Sequence, residues 1–143
     1  MDMRSEIIRI IEQEKNRPGE LLLDLERLHP DKSNDFWDEV YDLCCNGNGE
    51  FREVSLAVLT FVNRSLSNKD LDKLIDLITD KYEENAGILP YVMLMVRHNK
   101  RRDKLEFCQA INEWSEKVGN KHVRLNAQRC IDSFGKGKGT GSA

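Results

Sequence analysis

Apolar residues in this chain recur at spacings of three and four in almost every segment between its prolines and glycines. No stretch of useful length alternates apolar with polar residues as a half-buried strand requires. That pattern restricts the fold to helices. Ile7, Ile8, Ile10 and Ile11 mark a first helix that stops before Pro18-Gly19. Pro18 suits the first position of a second helix, where its missing N–H costs nothing, with Leu21, Leu22, Leu25 and Leu28 as the apolar side. Pro30 disfavours helical dihedrals in His29, so that helix ends there. Asn34 or Asp35 is expected to cap a third helix bearing Phe36, Trp37, Val40, Tyr41 and Cys44, which Asn46-Gly47-Asn48-Gly49 terminates. A fourth, from about Glu50 to Arg64, carries Phe51, Val54, Ala57, Val58, Phe61 and Val62, with Leu56 and Leu59 widening the stripe. Apolar on most of its circumference, it is expected to lie inside.

Ser67-Asn68-Lys69-Asp70 resembles a capping box and opens a helix with Leu71, Leu74, Ile75, Ile78 and Tyr82 inward. After Asn85-Ala86-Gly87, Ile88 to Val96 forms a nearly all-apolar helix with Pro90 in its first turn. Asp103-Lys104-Leu105-Glu106 begins a seventh, with Leu105, Cys108, Ile111, Trp114 and Val118, closed by Gly119-Asn120. The eighth uses Val123, Ala127, Cys130, Ile131 and Phe134, and Gly135 is a natural C-terminal cap. The remaining 136–143, rich in Gly and Lys, lack side chains able to offset the entropy of ordering and are expected to be disordered. The reading is all-α, about eight helices in a single domain over 1–135, with a core large enough that no metal, cofactor or disulfide is needed to hold it.

The 143 residues contain no apolar run near the ~20 needed to span a bilayer, and Met1 to Glu6 lacks the layout of a signal peptide. A cytoplasmic or nuclear protein without membrane contact is expected. Cys44, Cys45, Cys108 and Cys130 form no Cys-x-x-Cys pair and sit in apolar helical contexts, as small hydrophobes do. The net charge of −3 is unevenly distributed: up to Asn85, 11 basic residues face 20 acidic ones, giving −9, and from Ala86 onward 11 face 5, giving +6. Ends of opposite sign favour partners of opposite sign, a second copy of the chain included. Asp31-x-Ser33-x-Asp35 mimics part of a calcium loop, but Phe36 stands where the sharp-turn glycine belongs. His29, His98 and His122 lie far apart, and no nucleophile–base spacing, metal motif or phosphate loop occurs, which disfavours an enzyme.

Helix starts near Asn34, Asn68 and Asp103 are 34 and 35 residues apart, each opening a pair joined by a short turn, the signature of stacked helical hairpins. In the second helix of two pairs, Phe51-Arg52-x-x-Ser55-x-x-x-Leu59 aligns with Val123-Arg124-x-x-Ala127-x-x-x-Ile131: the small residue admits a neighbouring helix and the Arg is expected to point to solvent. At these residues the chain resembles the HEAT and armadillo-type repeat superfamily over about 34–134. The resemblance implies a short right-handed α-solenoid of three hairpins behind an N-terminal cap of two helices. The middle pair departs from the pattern, since Ile88 to Val96 lacks the Arg, and an irregular eight-helix bundle or a trafficking-domain superhelix is the alternative. Trp114 and the Val123-Arg124 run also resemble the helical-repeat glycosylases of alkylated DNA bases, with Asp80-Lys81-Tyr82 where their Trp-Asp pair would stand.

Two charged sets are candidate sites. Asp35, Asp38, Glu39 and Asp42 lie at helical spacing and suit a basic partner. Arg97, Lys100, Arg101, Arg102 and Lys104 form a basic turn that Lys121 and Arg124 would join if the last hairpin stacks, suiting an acidic partner or phosphates. No aromatic residue interleaves with them to stack bases. The expected function is therefore a non-enzymatic adaptor, inhibitor or immunity-type module binding a protein partner. Nucleic-acid binding through the basic C-terminal third is the alternative, and a degenerate glycosylase a remote one.

Overall fold

The computed structural model describes residues 2–139, and the side chains of residues 2–135. Among the described residues the regular structure is helical throughout: α1 (Met3–Gln13), α2 (Pro18–Leu28), α3 (Ser33–Asn46), α4 (Gly49–Phe61), α5 (Asn68–Ile78), α6 (Leu89–His98), α7 (Leu105–Val118) and α8 (Lys121–Gly139), with single 3₁₀ turns at Pro30–Lys32 and Arg102–Lys104. None of these helices is long and apolar enough to cross a membrane. The chain divides into two compact units, Met1–Leu66 and Ser67–Ala143.

In the first unit, Met3, Ile7, Ile10 and Ile11 of α1 and Leu22 and Leu25 of α2 are buried with Phe36, Trp37, Val40, Leu43 and Cys44 of α3. Pro18 occupies the first turn of α2, and the helix ends at His29, as proline chemistry requires. The start of α3 differs from the expectation. Neither Asn34 nor Asp35 caps it; the Pro30–Lys32 turn, closed by Lys32 N–H donating to His29 O at 2.9 Å, leads straight into Ser33. Proline presets the first dihedral of that turn, so the helical winding begins before the polar residues are reached.

Helix α4 departs most from its sequence pattern. Ser55, Leu56, Val58 and Leu59 are buried, whereas Phe61 is 84% exposed. At ~100° per residue, the buried face is turned by about a third of a revolution from the stripe running through Phe51, Val54 and Phe61. A helix apolar on most of its surface contains several overlapping stripes, and its packing against α1, α2 and α3 selects one of them. Ser55 is fully buried, as a small residue at a close helix approach should be. Arg52 does not point to solvent. Its Nε and Nη2 donate to Cys44 O at 2.9 Å and Cys45 O at 3.1 Å, so the guanidinium closes the carbonyl end of α3.

In the second unit Ser67 caps α5, its hydroxyl accepting from Asp70 N–H at 3.1 Å, and Leu71, Leu74, Ile75 and Ile78 turn inward. Helix α6 begins with Pro90 in its first turn and buries Leu89, Val92, Met93, Met95 and Val96. Asp103 does not cap α7, which is entered through the Arg102–Lys104 turn. Gly119 ends it with φ of 76°, a left-handed conformation suited to glycine, and Asn120 Oδ1 then accepts from Val123 N–H at 3.1 Å to start α8. Helix α8 packs on both α6 and α7 through Val123, Ala127, Cys130 and Phe134. It runs on to Gly139, so Gly135 lies within the helix instead of capping it; of the expected tail, residues 140–143 lie outside the described residues.

Candidate functional site

The acidic set lies along α3, where the face opposite the buried Phe36, Val40 and Leu43 must meet water. Two of its four members are answered from within the first unit: Arg4 of α1 places Nη1 2.7 Å from Glu39 and 2.8 Å from Asp42. Both carboxylates raise the already high affinity of that guanidinium for its proton. Asp35 and Asp38 stay exposed at the edge of a shallow, polar cleft of about 300 Å³ shared with Arg4 and Lys32. A basic partner would meet a face already partly neutralised.

The basic set is not one surface. Arg101 is buried, 9% exposed, and its guanidinium reaches Asp72 at 2.6 Å, Asp103 at 2.8 Å and the carbonyl of Asn68 at 3.4 Å. Lys104 approaches Asp72 at 3.3 Å. These two cations tie the start of α7 to α5, and hydrogen bonds from Arg101 hold the carboxyls of Asp72 and Asp103 below the usual range. Lys121 is also separated from the part of the turn that leads into α7. Cys108 faces Cys130 and Asn112 faces Gln128, so α7 and α8 run antiparallel, and the start of α8 lies beside the end of α7. With ~1.5 Å of rise per residue, the 14 residues of α7 put about 20 Å between Lys121 and the 102–104 end of that turn. Outside the cluster of Arg101 and Lys104 with Asp72, Arg97, Lys100 and Arg102 are the exposed or half-exposed Lys and Arg side chains of that turn. A substitution at Arg101 would accordingly disturb folding as well as any phosphate contact.

A feature that the charged motifs do not point to lies in the first unit. The turn from α1 into α2 and the outer side of α4 enclose a largely apolar groove of about 240 Å³, lined by Pro18, Gly19, Leu23, Ala57, Val58 and Phe61. Arg17 and Glu20 pair at 3.2 Å on its rim. Phe61 stands at its edge, most of the residue in water. The signal for it was the apolar circumference of α4: a helix with more apolar surface than its neighbours can cover must show the excess somewhere.

Several other groups singled out by the sequence make contacts within the fold. Trp114 lies half-buried with its ring centroid 5.6 Å from that of Tyr82, which also faces Phe107 at 6.4 Å. Tyr82, at the end of the Asp80-Lys81-Tyr82 run, thus joins an aromatic cluster with Phe107 and Trp114. Ser33, part of the calcium-like spacing, donates its hydroxyl proton to Glu26 at 2.7 Å. Among the described residues no three His, Cys, Asp or Glu side chains converge on a point where a metal would sit. Set against protein-family models, curated proteins and solved structures, the chain finds no match.

Proposed function

We propose that this chain is a non-enzymatic protein-interaction module, of the adaptor, inhibitor or immunity type, that binds an apolar partner segment in the groove between the α1–α2 turn and α4. The observation that carries the reading is Phe61, 84% exposed beside Pro18, Leu23, Ala57 and Val58. A large aromatic at the lip of a concave apolar surface is a typical anchor of protein interfaces, where few residues supply most of the affinity. The partner segment is expected to carry basic flanks, because residues 1–66 hold 8 basic against 14 acidic side chains, a net −6. The short α-solenoid reading belongs to the same proposal. It is supported by the complete burial of Ser55 and Ala127, the two small positions of the repeat-like motif.

The test is comparative capture from native lysate with wild type, Phe61→Glu and, as a control on the other unit, Leu125→Glu, each checked for an unchanged melting temperature. A stoichiometric partner retained by wild type and Leu125→Glu but lost with Phe61→Glu supports the reading. Identical captured proteins for all three overturn it.

A further inference from the structure

Helices α7 and α8 meet along a line of small side chains, Cys108 and Ser115 on one and Ala127 and Cys130 on the other, all at 0% exposure. Small residues at a crossing let the axes approach closely, and here they bring Cys108 Sγ to 3.3 Å from Cys130 Sγ. A disulfide needs about 2.05 Å between the sulfurs, so the gap to be closed is little more than an ångström, within reach of small side-chain rotations. From this juxtaposition we propose that Cys108 and Cys130 are a peroxide-responsive dithiol, whose oxidation to a disulfide clips α8 onto α7.

The two thiols have unequal roles. Cys108 S–H donates to Cys130 Sγ and favours the thiolate there; burial opposes ionisation at both sulfurs, Arg97 adds a smaller favourable charge at Cys130, and the shared proton pushes the Cys108 thiol up. Cys130 thiolate attacks one oxygen of hydrogen peroxide; the O–O bond breaks, Cys130 becomes a sulfenic acid, and the departing hydroxide takes up a proton to become water. Cys108 sulfur then attacks the Cys130 sulfenic sulfur, the S–O bond breaks, and the displaced hydroxide leaves as a second water with the Cys108 proton. In sum two thiols and one peroxide give one disulfide and two waters. Full burial at both sulfurs selects a small oxidant, admitted by transient opening of the C-terminal helix, over a bulky one. Cys44 and Cys45, on α3, are adjacent in sequence and provide an internal control in the other unit.

The experiment treats the folded full-length protein with hydrogen peroxide or, in a second arm, with oxidised glutathione, then blocks remaining thiols in denaturant and digests with trypsin. Peroxide is expected to lower the alkylatable thiols from four to two. It should also yield one cross-linked species joining 105–117 to 130–136 that dithiothreitol resolves into its halves, at least tenfold faster than glutathione does. The oxidised protein should melt roughly 5 °C or more higher, since a closed loop of this length restricts the unfolded chain. Recovery of Cys108 and Cys130 as thiols, as separate sulfinic acids, or as glutathione adducts in place of the linked peptide pair would overturn the proposal.

Discussion

Arg101 and Asp72, 29 residues apart in sequence, meet at 2.6 Å, and only the arginine is buried. The asymmetry makes the two sides of the pair respond differently to mutation. Replacing Asp72 and Asp103 together by Asn leaves a buried guanidinium without a counter-charge and is expected to cost about 2–3 kcal/mol. Arg101→Leu leaves two carboxylates that already face water and should cost nearer 1 kcal/mol, chiefly lost hydrogen bonds and packing. Urea unfolding of the three proteins measures the order; equal losses would contradict it.

The same cluster fixes a pH dependence. The folded-state acidities of Asp72 and Asp103 lie below the ordinary aspartate value of 3.8, with hydrogen bonds from Arg101 as the main cause. Unfolded chains therefore take up these protons first as acid is added. The cluster's contribution is complete above the unfolded value and disappears as pH falls through the lower, folded values. The stability gap between wild type and the Asp72→Asn, Asp103→Asn protein should be flat from pH 7 to about 5 and narrow below about 4. A gap that widens in acid would refute the assignment.

Two neighbouring positions on α4 should part company. Leu59→Glu places a charge in a fully buried site and is expected to destabilise by several kcal/mol. Phe61→Glu exchanges one exposed side chain for another and should stay within about 0.5 kcal/mol of wild type. Thermal melts distinguish this face of α4 from the one its apolar pattern alone suggests.

Arg52 and Ser55 test the inner side of that helix. Arg52→Ala strips two charge-assisted bonds from the end of α3 and should cost about 1–2 kcal/mol, with faster amide exchange in the last turn of α3. The Ser55 hydroxyl is buried without a hydrogen-bond partner among the described residues, so Ser55→Ala should raise stability by about 1 kcal/mol. A loss on chemical denaturation would show that the hydroxyl is bonded after all.

Local chemistry determined the helices. Pro18 and Pro90 in first turns, the Ser67 cap and the left-handed Gly119 each act within a few residues, so their effects can be read without knowing what the chain packs against. Leu71, Leu74, Ile75 and Ile78 could be assigned to the core for the same reason: α5 has one apolar stripe and hence one way to hide it. Helix α4 has several, and only the placement of α1, α2 and α3 around it decided that Leu56 and Leu59 go in while Phe61 stays out. Charge pairing was equally non-local. Arg4 finds acids 35 and 38 residues away, Arg101 finds one 29 away, and the length of α7 keeps Lys121 from the 102–104 end of the basic turn. Which residues meet depends on distances in space that sequence separation does not encode. The chain alone therefore dictated most of where it coils, and the packing of those coils dictated which side chains are buried, paired or exposed.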